Sequence, residues 1–186
     1  MPRNPASEKI DGLLLRFIKE RNGAVVENME RAGIRYARSY GVSTATIREV
    51  AARYAPDDGM ARILYRRPVR ELQLAALFIA DPETLTLEDL PFWAEGVINS
   101  EVAEYLAFAL LGRSKIVWEV FTLWWPMEER PLLRYCALMT VARSLVLNGD
   151  TARWHAGQIS EAVDEALKSD DSLLRSAGER LRERGY

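Results

Sequence analysis

The sequence predicts an all-α protein in which antiparallel helix pairs stack into an α-α superhelix, or solenoid. No stretch keeps the period-two alternation of apolar and polar residues that marks a half-buried strand. The chain instead divides into about eleven helical segments of roughly 10–17 residues, joined by short turns. Segment 131–147 is apolar almost all round, so neighbouring helices must cover it on both sides. We therefore expect residues 1–186 to form one repeat domain.

Length and composition are those of a globular protein. Apolar residues make up 48% and charged residues 28% of the 186 residues, an ordinary balance. No apolar run approaches the ~20 residues of a membrane span, and the first residues lack the apolar segment of a signal peptide. The single cysteine excludes an internal disulfide, and one histidine with one cysteine argues against structural zinc. We expect a cytoplasmic protein with no metal, no cofactor and no membrane contact.

The N-terminal segments predict two helices. The first ends at Asn22-Gly23, where the sequence breaks the helical pattern. The second begins at about Ala24 and runs into the Gly33 region, and whether it continues over residues 34–40 is left open. On a helix that continues, Arg31, Arg35 and Arg38 fall at positions i, i+4 and i+7 and form one basic face. That face is either solvated or a contact surface for a polyanion.

Capping residues and prolines set the bounds of the next helices. Ser43 is placed to cap one helix, and the turn 56–59 ends it. A short helix follows, and Pro68 suits the first turn of the one after it. Thr86 and Asp89 have the spacing of a capping box, which predicts another helix start.

The segment 98–113 carries the most informative carboxylates. Asn99 provides a helix start, and the apolar helix that follows carries Glu101 and Glu104 one turn apart. On a regular helix both carboxylates and Phe108 share one side. Carboxylates on a helix this apolar belong either to a solvated edge or to a site.

The C-terminal part predicts four further helices. Ser114 is placed to cap the first of them, and Pro131 starts the second, which is the buried one. The last two are predicted over 151–168 and 172–184.

The charges are unevenly distributed along the chain. Residues 1–70 hold 14 Lys and Arg against 8 Asp and Glu, a net charge of +6, whereas residues 71–186 hold 11 against 19, or −8. A basic half of this kind suits a polyanion, but it is also typical of an exposed arginine-rich surface. Arginine and lysine supply most of the sequence-independent affinity for nucleic acid. The candidate phosphate contacts are Arg35, Arg38, Arg66, Arg67, Arg70 and Arg113.

Several short motifs follow one another in a defined order and spacing. They are Tyr40-Gly41-Val42, Ile47-Arg48-Glu49-Val50-Ala51, Leu64-Tyr65, Arg70-Glu71-Leu72, Ala75-Ala76-Leu77, Asp81-Pro82, Thr86, Trp93 and Leu133-Arg134-Tyr135-Cys136-Ala137. In this order they resemble the AlkD-like DNA alkylation-repair glycosylases over about residues 24–184. The resemblance implies a HEAT-like repeat fold, double-stranded DNA as the partner, and Arg134 as a residue that faces the DNA.

The resemblance also implies a catalytic position, which Glu104 occupies. In active members a carboxylate there stabilises the positive charge that develops on the sugar as a cationic N-alkylated purine leaves. Those members carry tryptophan where this chain has Ser100 and Glu179. The chain is therefore predicted to be a DNA-binding protein of this family, with base excision left open. The alternative is a non-catalytic module or scaffold that binds a protein partner.

Three interpretations of Glu104 stay open: it is catalytic, paired with Arg134, or solvated. Arg134 leaves an otherwise apolar helix face, so it needs a partner or an anionic ligand, and we expect Glu101 or Glu104 to pair with it. The tryptophans 93, 118, 124, 125 and 154 have helical spacing, which favours a place in the core over base stacking. Cys136 is expected to be inert core, and His155 a surface or capping residue.

Overall fold

The structure is a computed structural model that describes residues 5–148 and 155–186. All regular structure in these two ranges is helical, which confirms the predicted all-α class. The helices are α1 (Pro5–Lys19), α2 (Gly23–Arg31), α3 (Thr44–Ala51), α4 (Asp58–Tyr65), α5 (Arg70–Ile79), α6 (Leu90–Glu95), α7 (Ser100–Tyr105), α8 (Val117–Trp124), α9 (Pro131–Leu147), α10 (Ala156–Lys168) and α11 (Ser172–Arg182).

The chain divides into two compact units, residues 1–81 and 82–186. In unit 1, α3 and α4 pack against α5. In unit 2, α9 packs against α7, α8 and α11, and α10 pairs with α11. The expectation of a single domain over residues 1–186 stays a prediction.

The helices at the centre of each unit are buried along most of their length. In α5 every residue is buried except Phe78, and the buried set includes the charged Arg70 and Glu71. In α9 the run from Tyr135 to Ala142 is buried on all sides, as the apolar sequence predicts. Helices that bury their whole circumference need neighbours on every side, and a stack of helix pairs supplies them.

The helix caps predicted at Ser43, Asn99 and Thr86 are confirmed. The Ser43 hydroxyl accepts a hydrogen bond from the Thr46 amide at 3.1 Å, and Asn99 Oδ1 accepts one from the Val102 amide at 3.0 Å. The Thr86 capping box is formed as well. These side chains satisfy backbone donors that have no partner inside the helix, which is why they fix the helix starts.

The cap predicted at Ser114 is wrong, because α8 begins at Val117 and its N-cap residue, Ile116, makes no side-chain cap bond. Pro68 lies two residues before α5 and not in its first turn.

The second helix ends in the region of Gly33, as predicted, and the continuation over residues 34–40 that the sequence left open is not formed. Helix α2 ends at Arg31, and residues 32–43 are not helical. Gly33 adopts a φ of +77°, and the Ile34 amide donates back to the Met29 carbonyl at 2.9 Å. This arrangement is a Schellman-type helix end, which glycine favours because it lacks a Cβ. The basic helical face formed by Arg31, Arg35 and Arg38 therefore does not exist.

The segment 98–113 is not one regular helix either. Helix α7 is followed by a π-helical turn over Leu106–Leu110 and a 3₁₀ turn over Leu111–Arg113. The backbone at Gly112 lies so close to α9 that a Cβ there would be 2.7 Å from the Arg143 Cβ. The irregular end thus places Arg113 beside α9.

Candidate nucleic-acid interface

A buried carboxylate organises one corner of unit 1. Glu71, in the first turn of α5, is fully buried. It accepts hydrogen bonds from the Ser39 hydroxyl at 3.3 Å, the Tyr40 amide at 3.1 Å and the Val42 amide at 3.3 Å. An ionised carboxylate has only acceptor positions, so these donors match it and fix the segment from 39 to 42 against α5.

Arg70 completes this network from the other side. Its side chain is 3% exposed, and Nη1 donates to the Val42 carbonyl at 2.7 Å and to Glu71 Oε1 at 3.2 Å. Its backbone amide donates to the Arg38 carbonyl at 2.9 Å. The prediction that Arg70 contacts a phosphate is corrected, because the guanidinium is buried and bonded within the protein.

Gly41 is the position in this segment that only glycine fits. Its φ is +71°, and a Cβ there would lie 2.0 Å from the Asn22 carbonyl oxygen. The Asn22 amide in turn donates to the Tyr40 carbonyl at 2.7 Å. The Tyr40-Gly41-Val42 motif is therefore a turn that joins the start of α2 to the start of α5.

Four exposed arginines lie on the two segments that this network joins. Arg35 and Arg38 belong to residues 32–43, and Arg66 and Arg67 follow the end of α4. The hydrogen bond between the Arg70 amide and the Arg38 carbonyl brings the two segments together. We call these four residues the basic corner; it adjoins the N-terminus of α5, where the helix dipole adds positive potential.

In unit 2, Glu104 faces a cation. Its Oε1 lies 3.4 Å from Nη1 of Arg180 on α11, and the side chains are 40% and 51% exposed. Tyr135 of α9 is buried beside them, and burial, with a smaller contribution from the Glu104 charge, raises its pKa to about 12. A carboxylate that already faces a guanidinium stabilises a second developing cation less than an unpaired one.

Arg134 does not pair with Glu101 or Glu104, and that prediction is wrong. Its Nε donates to the Trp125 carbonyl at 2.8 Å, its guanidinium lies 4.0 Å above the Trp125 ring, and Nη2 forms an ion pair with Glu165. Glu128, Glu161 and Asp164 line the same groove. With a side chain only 12% exposed in an acidic groove, Arg134 is poorly placed to hold a phosphate.

The aromatic and sulfur predictions have mixed outcomes. Trp93 and Trp124 are buried, as predicted, whereas Trp118 and Trp125 are only partly buried. Trp154 lies outside the described residues. Cys136 is fully buried, and burial raises the pKa of its thiol, which agrees with inert core.

His155 precedes the first residue of α10 and lies face to face with Trp118, with ring centroids 3.5 Å apart. Neither this contact nor the Glu104–Arg180 pair is predictable from local sequence patterns, because each joins residues far apart in the chain.

Two further features are absent from the part of the chain that the structure describes. No helix there is long and apolar enough to cross a membrane. No group of three or more His, Cys, Asp or Glu side chains within those residues is arranged to hold a metal ion.

The helix pairs, their caps and the buried turn network define an all-α repeat protein. The sequence matches the family model described as DNA alkylation repair enzyme over residues 13–185, so the chain belongs to the DNA alkylation repair enzyme family. No curated protein sequence matches the chain.

The fold is similar to that of a solved structure described as "A new family of proteins related to the HEAT-like repeat DNA glycosylases with affinity for branched DNA structures". The TM-score is 0.81 at 17% sequence identity, over 91% of this chain and 72% of the other. This likeness confirms the predicted HEAT-like fold.

Proposed function

We propose that this chain binds DNA through the sugar–phosphate backbone, with the basic corner of unit 1 as the principal contact. The observation that carries the proposal is the hydrogen bond between the Arg70 amide and the Arg38 carbonyl at 2.9 Å. It joins two arginine-bearing segments that are 28 or more residues apart in sequence at one exposed place. Each guanidinium can donate two parallel hydrogen bonds to phosphate oxygens, so four exposed arginines on two joined segments suit a phosphate backbone.

The charge distribution supports the same function. Residues 1–70 carry a net charge of +6 in a chain whose total is −2, so the positive potential is concentrated in unit 1. Contacts to phosphates do not distinguish one base from another. Such binding releases counterions from the DNA, so its affinity falls steeply as the salt concentration rises. The chain is therefore a DNA-binding protein with little dependence on base sequence.

The shape of the DNA is the open choice within this proposal. The solved structure with the similar fold represents proteins with affinity for branched DNA. Arginines that contact the DNA sugar–phosphate backbone can bind duplex DNA and branched DNA alike. Both kinds of DNA are therefore used as probes.

For base excision, the proposal is that Glu104 does not act as a catalytic carboxylate. Its pairing with Arg180 at 3.4 Å offsets the negative charge that a glycosylase needs at the sugar. Ser100 and Glu179 supply no aromatic ring to hold an extruded purine. Both features favour binding without excision of cationic N-alkylated purines.

The first experiment measures binding of fluorescein-labelled duplex and four-way-junction DNA by anisotropy at several salt concentrations. We expect saturable binding whose affinity falls as salt rises. Binding to neither DNA at low salt would remove the proposal and favour a scaffold that binds a protein partner.

The second experiment measures release of methylated purines from alkylated duplex DNA. We expect no release above the protein-free rate by the wild-type chain. Release by wild type that is lost in Glu104→Gln, with DNA affinity unchanged, would make Glu104 catalytic after all.

A further inference from the structure

Phe108 presents an aromatic ring at the surface of unit 2. It belongs to the π-helical turn over Leu106–Leu110, in which the other four residues are buried, whereas Phe108 itself is 44% exposed. Single π-helical turns inserted after regular helix are frequent at functional sites, because they redirect the side chains that they carry. An exposed ring on such a turn is a candidate contact for a planar ligand.

A cation lies against this ring. The guanidinium of Arg143, on α9, is 3.9 Å from the centroid of the Phe108 ring. On the same side chain, Cβ and Cγ lie so close to the backbone of Gly112 that a Cβ at Gly112 would be 2.7 Å from each of them. The ring and the guanidinium are therefore held together before any ligand arrives, which reduces the entropy lost on binding.

The charge of Arg143 is not compensated within the part of the chain that the structure describes. No ion pair is formed there by Arg143, and its buried Nε–H has no acceptor. Burial, with a smaller contribution from the charge of Arg113, lowers the pKa of Arg143. The carboxylate one turn before Phe108, Glu104, faces Arg180 at 3.4 Å. A guanidinium in this position is suited to a phosphate oxygen.

A base and its phosphate match these two groups when the base is unpaired. Bases of single strands stack on aromatic rings and on guanidinium planes, and nearby arginines hold the strand by its phosphates. In a duplex the faces of each base are covered by its neighbours in the stack. A phosphate contact alone binds both kinds of DNA, whereas an aromatic contact discriminates between them.

We propose that Phe108 and Arg143 form a binding site for an unpaired nucleotide of DNA, with the base against the Phe108 ring and a phosphate on the Arg143 guanidinium. The inference rests on the proposed function, because it requires that the chain binds DNA. It deepens that function by naming the kind of DNA, one that contains a single-stranded segment. It uses residues of unit 2 alone and none of the basic corner.

The first test compares binding of a fluorescein-labelled duplex with binding of the same duplex carrying a short single-stranded gap. We expect the full chain to bind the gapped DNA more tightly. Phe108→Leu keeps an apolar side chain and removes the aromatic face, so it should weaken gapped-DNA binding about tenfold and leave duplex binding unchanged. Phe108→Tyr keeps the ring and should retain the preference. Leu123→Ala removes an exposed apolar side chain of α8 and should change neither affinity.

The second test uses Arg143→Gln and a single-stranded oligonucleotide. A phosphate contact to a single strand contributes about 0.7 to the slope of log K against log salt, so this variant should lower the slope by that amount. Phe108→Leu should keep the wild-type slope, because the guanidinium remains. Arg184→Gln, which removes an exposed arginine near the end of the chain, is the matched control and should keep it as well. Thermal melting of each variant separates loss of the site from loss of the fold.

The outcomes distinguish this inference from the proposed function. Equal binding of gapped and duplex DNA by wild type, or an unchanged preference in folded Phe108→Leu, would overturn the inference and leave DNA binding by the basic corner in place. An equal loss of affinity for both DNAs in Phe108→Leu would overturn it too, since Phe108 would not then recognise an unpaired base. Binding of neither DNA by wild type would instead remove the proposed function itself.

Discussion

The backbone amide of Arg70 donates to the carbonyl of Arg38 at 2.9 Å, one of several bonds that join the turn before α3 to the start of α5. Beneath it, the buried Glu71 carboxylate holds the amides of Tyr40 and Val42. The exposed arginines on both segments therefore rest on a rigid, buried foundation. For the proposed binding of phosphates, a rigid foundation reduces the loop entropy that is lost on binding.

Replacement of Glu71 by alanine is expected to destabilise unit 1 strongly. The variant leaves the buried Arg70 guanidinium without its carboxylate and several amides without an acceptor. The loss should be about 3–5 kcal/mol in the free energy of unfolding, measured by urea denaturation. Glu49→Ala is the control: Glu49 forms an exposed pair with Arg53, so its loss should cost under about 1 kcal/mol. Equal effects of the two variants would refute the structural role of Glu71.

Replacement of Gly41 by alanine tests the turn itself. Gly41 and Gly33 both have positive φ, +71° and +77°, but only at Gly41 does a Cβ meet the Asn22 carbonyl, at 2.0 Å. Gly33→Ala should therefore cost about 1 kcal/mol from backbone strain alone. Gly41→Ala should cost at least about 2 kcal/mol more in thermal or urea melts, since a backbone atom must also move. Equal stability of the two alanine variants would show that the Asn22 carbonyl does not lie as close to Gly41 as described.

Arg134→Gln is expected to reduce stability without changing how DNA binding depends on salt. The substitution removes the contact with the Trp125 ring and the ion pair with Glu165. The side chain is largely buried, so the expected loss is about 2–3 kcal/mol in the free energy of unfolding. A variant of normal stability with a reduced salt dependence would instead make Arg134 a phosphate contact.

Stability at alkaline pH is expected to depend on Tyr135. Burial and, to a smaller extent, Glu104 raise its pKa to about 12, so the folded protein keeps the phenol proton after the unfolded chain has lost it. Between about pH 10 and 12 the unfolded state binds fewer protons, and the free energy of unfolding falls by about 1.4 kcal/mol per pH unit on this account. Urea melts of Tyr135→Phe should show a shallower fall over this range. The same slope in both proteins would contradict the assignment.

The features that sequence predicted well are local. Ser43, Asn99 and the Thr86 capping box each make hydrogen bonds with a residue three positions away, so the local spacing is enough to predict them. The burial of α9 is likewise predictable from its own residues, because they are apolar almost all round the helix.

The features that sequence missed depend on long-range contacts. Glu104 and Arg180 are separated by 76 residues, and Arg134 and Glu165 by 31, so no pattern within a helix identifies the partners. The helix end at Gly33 is by contrast predictable, because a glycine after a basic last turn is a local stop signal.

The basic corner is tested most directly by the salt dependence of duplex DNA binding in the double variant Arg38→Gln/Arg67→Gln. Its control is Arg16→Gln/Arg53→Gln, which removes the same charge from two exposed positions of unit 1, one in α1 and one in the turn after α3. If both corner arginines contact phosphates, the slope of log K against log salt should become shallower by about 1.8, or about 0.9 for each contact. The slope for the control variant should stay close to that of wild type, because its two arginines are not proposed to contact phosphates. Identical slopes in the two double variants would contradict the account.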